Sequence, residues 1–168
     1  MVEIKGYLTN LGKYVGGELV GEWITFPIDN EELKKVLEKI GIDEENEEYF
    51  FTDWDCDFEH NFGEYESVED VNEIAEQLET WNEDLLKAVC ENWGINYAID
   101  NDEDDFVLYD DIQTDYDLGY YWAIESGCYD LKSMGTLADY IDFESFGRDI
   151  RFETDGGFTN YGWVEYRG

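Results

Sequence analysis

Asp53, Asp55, Asp57 and Glu59 alternate with Trp54, Cys56, Phe58 and His60. Side chains on one face of a β-strand recur every two residues, so Tyr49 to Glu59 reads as a strand with four carboxylates on one face. Their pitch of ~6.7 Å makes a line of negative charge comparable to successive phosphates along a DNA strand. Such a row makes and breaks no bonds. It offers recognition of a cationic surface. Edge strands also carry charge to prevent aggregation, but that task uses Lys as readily as acid, and no Lys accompanies this row.

Two further acidic groups extend the pattern. Glu69, Glu73, Glu76 and Glu83 fall opposite an apolar helical stripe of Val68, Val71, Ala75, Leu78 and Trp81. Like charges four apart cost a helix a few tenths of a kcal/mol each, and no Lys partner is available to offset them. Asp100, Asp102 and Asp104, followed by Asp110, Asp111 and Asp115, form an acidic stretch. Its spacing loosely resembles a calcium loop, but Asp105 stands where the sharp turn requires Gly, and Asp replaces the final bidentate Glu. It reads as an acidic loop, and neither a metal nor another cofactor is expected.

Bond-making chemistry finds little support in the sequence. The single His, His60, continues the apolar strand face, which suits a core or half-buried residue better than a general base. Gly12-Lys13 lacks the upstream Gly and the following Ser or Thr of a phosphate-binding loop. Cys56, Cys90 and Cys128 are odd in number and widely spaced, which suits reduced thiols rather than a disulfide framework. The protein is not expected to be an enzyme.

The charge balance gives these acids their meaning. The chain of 168 residues has 44 acids against 10 Lys and Arg, a formal charge of −34. Thirty of the acids lie between Ile40 and Leu131, where Lys87 is the only Lys or Arg. High charge with few apolar groups produces disorder, but here 43% of residues are hydrophobic and 17% aromatic, enough for a core. A folded surface with so few counter-cations resembles nucleic acid, so the expected partner is a protein that binds DNA. An acidic chaperone or decoy for basic proteins, a halophilic surface and a calcium buffer are the alternatives. No leader or apolar span is visible, and a polyanion is repelled by anionic lipid, so a cytoplasmic protein without membrane or nucleic-acid partners is expected.

The positioning elements read as α+β, in three small consecutive domains at 1–62, 63–105 and 106–168. In the first, Ile4 to Leu8 and Glu22 to Phe26 are strands, and Pro27 ends the second. Asp29 or Asn30 caps a helix with the stripe Leu33, Val36, Leu37 and Ile40, which Gly41 ends. In the second, Ser67 with Asp70 resembles a capping box, and Leu85, Leu86, Val89, Cys90 and Trp93 mark another helix closed by Gly94. In the third, Phe106 to Tyr109 is a strand, and Tyr116 to Ser126 and Leu137 to Phe146 are helices. Ile150 to Phe152 and Gly162 to Tyr166 are closing strands around an Asp155-Gly156-Gly157 turn.

Three stretches carry a resemblance. Tyr7 to Pro27, YLTNLGKYVGGELVGEWITFP, contains Asn-Leu-Gly, a Tyr and Gly-x-Leu-x-Gly-x-Trp. Tyr116 to Gly127 reads YDLGYYWAIESG, and Leu137 to Ile150 reads LADYIDFESFGRDI with a YIDxxxxGRD core. These resemble the ArdA antirestriction proteins of conjugative plasmids and transposons, over essentially the whole chain. The resemblance implies an elongated, three-part homodimer whose acids imitate the phosphates of bent DNA. It further implies that the protein occupies the DNA groove of a Type I restriction–modification enzyme, on its methyltransferase core or the whole complex. The family pairs protomers through its C-terminal part, which points here to Tyr116, Tyr120, Trp122 and Tyr129. Duplex DNA carries one charge per about 1.7 Å, so 34 charges match roughly 58 Å of duplex, and a dimer roughly 115 Å. A compact globule of this length is only about 40 Å across, so an extended dimer fits that charge density better.

Overall fold

A computed structural model describes residues 2–44, 47–60 and 62–168. The chain divides into two compact units, Met1–Glu83 and Asp84–Gly168. Each holds a three-stranded antiparallel sheet with helices, a mixed α and β composition consistent with α+β.

The first unit is built on β1 (Ile4–Asn10), flanked by β2 (Gly21–Phe26) and β3 (Tyr49–Cys56). Ile4, Leu8, Ile24, Phe26 and Phe51 are buried, whereas Trp23, Thr25, Asp53 and Asp55 are exposed. The register shifts between Tyr7 and Leu8, which pair with Asp53 and Phe51, so Thr52 is an extra residue on β3. This bulge explains why Phe51 is buried and Asp53, two residues on, is exposed; Phe50, on the face opposite Phe51, is covered by the rings of Tyr14 and Tyr65. β3 ends at Cys56, three residues earlier than the alternation predicts. Its partner has run out: Cys56 pairs with Ile4, the first residue of β1. Beyond it, Asp57 closes the edge by exchanging bonds with Glu3, its N–H donating to the Glu3 carbonyl at 3.2 Å and its Oδ2 accepting from the Glu3 N–H at 2.8 Å.

Between β1 and β2, where Gly12, Gly16 and Gly17 suit turns, lies a short helix α1 (Leu11–Val15). Asn10 is fully buried and works in both directions. Its Oδ1 accepts from the Lys13 N–H at 3.0 Å, and its Nδ2 donates to the carbonyls of Ile40 and Gly41 at 3.2 and 3.0 Å. Lys13 Nζ reaches the same Ile40 carbonyl at 3.4 Å. The Asn-Leu-Gly-Lys segment is thus a latch on the end of α2 (Asn30–Ile40). That helix is capped by Asp29 and stopped by Gly41 at φ 80°, a left-handed conformation that favours glycine. Helix α3 (Val68–Leu78) is capped by Ser67, whose Oγ accepts from the Asp70 N–H at 3.2 Å. Val68, Val71, Ala75, Leu78 and Trp81 are all buried, as their spacing predicts. Glu83 does not share the α3 face: α3 has ended at Leu78, and Glu83 opens α4 (Glu83–Trp93).

In the second unit, α4 buries Leu85, Leu86, Val89 and Cys90. Gly94, at φ 89°, leads directly into α5 (Ile95–Asp100), an element that the charge pattern hides. The second sheet has the order β4–β6–β5, from β4 (Phe106–Tyr109), β5 (Gly156–Thr159) and β6 (Gly162–Tyr166). Gly156 and Gly157 lie in β5 rather than in a turn; the hairpin turn is Asn160–Tyr161. Glu91 fixes it by accepting from the Asn160 backbone N–H at 3.1 Å and from its Nδ2 at 3.1 Å. Trp163, fully buried, packs with Ile112 and Leu118 at the centre of a core cluster.

Helix α6 (Asp115–Tyr120) runs on through a π-helical turn over Tyr121–Glu125, where the Ser126 N–H reaches the Tyr121 carbonyl at 2.8 Å. Leu137 to Phe146 is not one helix. A 3-10 segment covers Leu131–Tyr140 with a break at Gly135, and α7 (Phe143–Glu153) starts only after Asp142 caps it. Ile150 to Phe152 form the last turns of α7 rather than a strand. Helices α6 and α7 cross at Gly119 and Gly147. A Cβ on Gly147 would fall inside the Asp115 carbonyl, and one on Gly119 inside the Phe143 carbonyl.

Candidate functional site: exposed carboxylates on defined elements

The register places the β3 acids on one grid. Asp53 pairs with Tyr7, which pairs with Trp23; Asp55 pairs with Lys5, which pairs with Thr25. Asp53, Asp55, Asp57 and Glu59 are all exposed, and Trp54, Cys56, Phe58 and His60 are not, so the alternation of exposure continues past the end of the strand. β3 is an edge strand, as the aggregation argument assumed. Lys5 sits in the same grid and is bound to Glu3 at 2.6 Å. Its pKa is raised first by that hydrogen bond and charge, then by the charges of Asp55 and Asp57.

Glu69, Glu73 and Glu76 are exposed on α3. Glu69 lies close enough to Tyr49, at the start of β3, for its charge to add to the burial that raises the tyrosine pKa. In the second unit Asp102, Asp104, Asp110 and Asp111 are exposed. Asp102 and Asp105 form a reciprocal cap around a 3-10 turn over Glu103–Asp105. Glu83 and Asp115 differ from the other eleven in being half-buried. Asp115 is tied to Arg151 by two hydrogen bonds, 2.7 and 3.2 Å, that clamp α6 to α7. Its charge is therefore matched inside the chain.

Other acids also serve the scaffold. Glu165 is buried between Trp163 Nε1 and Arg167 Nε, at 3.3 and 3.0 Å. Arg167 also donates to the Tyr109 hydroxyl. Burial, then the Glu165 charge, pushes the Tyr109 pKa up to about 12. Asp155 accepts from Trp93 Nε1 at 3.2 Å.

The aromatic candidates separate into two kinds. Tyr116 and Tyr120 are exposed and stand edge-on to Phe143 of α7, and Tyr129 is exposed and edge-on to Phe146. Tyr129, Phe146, Ala123, Leu131, Met134 and Ile141 line an apolar groove of about 220 Å³. Trp122 instead packs on the Trp163 core cluster. On the same 3-10 segment as Leu131 and Met134, Leu137 and Tyr140 are exposed by 65% and 85%.

His60 is half-buried and edge-on to Phe62, with ring centroids 4.3 Å apart; burial lowers its pKa against the raising effect of Glu66. Among the described residues no group of three or more His, Cys, Asp or Glu is placed to hold a metal ion. Among them, too, no helix is long and apolar enough to cross a membrane.

These features describe an acidic α+β protein whose candidate site is an array of carboxylates on a strand edge and a helix face. A family model described as antirestriction protein (ArdA) matches residues 6–165, nearly the whole chain. The chain belongs to the ArdA antirestriction protein family. No curated protein matches it. The structure gives the shared motifs physical roles: Asn10 latches α2, Asp142 caps α7 through Ser145, and Gly147 lets α6 and α7 touch backbone to backbone.

Proposed function

We propose that this antirestriction protein acts by imitating DNA and occupies the DNA-binding groove of a Type I restriction–modification enzyme. The observation that carries the proposal is the row Asp53, Asp55, Asp57 and Glu59, four exposed carboxylates at every second residue, the first two on the edge strand β3 and the last two just past its end. Glu69, Glu73 and Glu76 on α3 and Asp102, Asp104, Asp110 and Asp111 in the second unit are further exposed carboxylates; Glu83 and Asp115 contribute less, being half-buried. A basic groove shaped for phosphates gains many weak ion pairs from such an array, each small alone. Their sum steers encounter and competes with the nucleic acid.

The same proposal includes a cytoplasmic homodimer, elongated and in three parts at 1–62, 63–105 and 106–168. Two strongly acidic faces repel, so the seam is the apolar groove around Tyr129 and Phe146 with the exposed rings of Tyr116 and Tyr120. Residues 132–168 support this with only seven acids against four Lys and Arg.

The test is restriction itself. Unmodified phage is plated on a host carrying a Type I system, with and without expression of this chain. The expected result is plating close to that of modified phage. Unchanged restriction at confirmed expression, across several Type I systems, would refute the proposal.

A further inference from the structure

Trp23 is a large aromatic residue that the core does not use. β2 buries Ile24 and Phe26 and turns Trp23 and Thr25 outward, leaving Trp23 45% exposed. The strand register sets it in a row with Tyr7 and Asp53, next to the row of Thr25, Lys5 and Asp55. Neighbouring strands lie about 4.8 Å apart, so Asp53 and Trp23 are roughly 10 Å apart across Tyr7, within the span of one long side chain and its flat head group.

The indole is also held in place. The Tyr7 ring stands edge-on to it, with centroids 5.3 Å apart and planes at 65°. The Tyr7 hydroxyl donates to the Gly21 carbonyl at 3.2 Å. Gly21 makes this possible, because a Cβ there would meet the Tyr7 ring at 2.7 Å and Thr9 Oγ1 at 2.9 Å. Gly21, Trp23 and Tyr7 therefore act as one unit, in which glycine leaves room for tyrosine and tyrosine braces tryptophan. Lys5, the cation of the same grid, is occupied by Glu3.

A braced indole face beside carboxylates attracts a flat cation. The ring face is electron-rich and draws a cation most strongly when the contact is shielded from water. A guanidinium stacks on the ring and forks onto a carboxylate, which a compact ammonium does not match. We infer that Trp23, braced by Tyr7 and seated by Gly21, is a platform for an arginine of the bound protein, with Asp53 and Asp55 beside it. Placing that arginine in a DNA-binding groove rests on the function proposed above.

Two measurements on the full chain separate the two readings. In the first, hexaarginine and hexalysine peptides are titrated at equal ionic strength. The native chain prefers hexaarginine several-fold, and Trp23→Ala loses that preference; a preference that persists in the folded variant overturns the platform, whatever any enzyme does. In the second, the dissociation constant for a purified Type I methyltransferase core is followed against salt. Trp23→Ala weakens it about 3- to 30-fold, Trp23→Phe by less, and both leave the salt slope unchanged, whereas Asp53→Asn with Asp55→Asn makes it shallower. Circular dichroism confirms folding of each variant. Affinity within twofold of native in Trp23→Ala overturns the platform's place at that interface. If the native chain itself does not bind the core, the functional proposal fails and the peptide titration alone decides the platform.

Discussion

Replacing Asp53, Asp55, Asp57 and Glu59 together by their amides should weaken inhibition by about one to three decades and leave the fold intact. All four side chains are exposed, so each ion pair with a basic groove is worth about 0.2–1 kcal/mol. Four together give about 1–4 kcal/mol, or roughly tenfold to a thousandfold in affinity. The amides preserve the local hydrogen bonds. Asp57 accepts from the Glu3 N–H at 2.8 Å and Asp53 from the Trp54 N–H at 2.9 Å, and an asparagine oxygen can accept in the same place, though without the charge. Lys5 keeps Glu3 as its partner, and its raised pKa falls part of the way back as the Asp55 and Asp57 charges go. Lower self-repulsion should leave the melting temperature unchanged or slightly higher. Titration against a Type I methyltransferase core reads the affinity, and Asp55→Asn alone should change it by less than about fivefold. Complete loss of binding from one such substitution, with fold and dimer intact, would reveal a discrete anchor and refute the distributed account. Native affinity in the quadruple variant would refute the role of the row.

Three further outcomes follow from the structure. Gly147→Ala should destabilise the second unit by at least about 1–3 kcal/mol, read by thermal melting, because the new methyl meets the backbone of α6; an unchanged melt would contradict the backbone crossing. At pH 8 iodoacetamide should label exposed Cys128 well before Cys56, read by mass spectrometry. Burial, then the charges of Asp55 and Asp57, push the Cys56 thiol up to about 11, so about one part in a thousand is thiolate at pH 8 and its labelling should quicken up to about pH 11. Tyr129→Asp should convert a dimer seen by light scattering at micromolar concentration into monomer, since it places like charges in the proposed seam; a native monomer, or a dimer that survives, would count against that seam.

How much was legible depended on whether a local signal existed. The α3 stripe and its Ser67 cap, the Asp29 and Gly41 ends of α2, and the Asp53–Glu59 alternation rest on short-range periodicity and capping, and each holds in the structure. The end of β3 depends on where β1 runs out, which β3 itself does not encode. Ile150 to Phe152 read as a strand because the two apolar residues, one on either side of Arg151, match a two-residue alternation, and so short a segment fits either element; in the structure it continues the helix capped by Asp142. In the sequence Asp115 is one more acid of the acidic stretch, and only the fold brings Arg151 to it from 36 residues away. The Tyr7–Trp23 pair needs the cross-strand register before either residue has a meaning. The exchange of Glu83 from α3 to α4 follows from a helix end at Leu78 that no glycine or proline marks.

The most direct test of the central claim is displacement. A labelled DNA duplex containing the recognition sequence is bound to a purified Type I methyltransferase core, and this protein is added while anisotropy is followed. DNA mimicry predicts that the DNA is released at near-stoichiometric protein and low salt, with apparent affinity falling steeply as salt rises. DNA that stays bound while the protein also binds, or displacement that salt leaves unchanged, would contradict it.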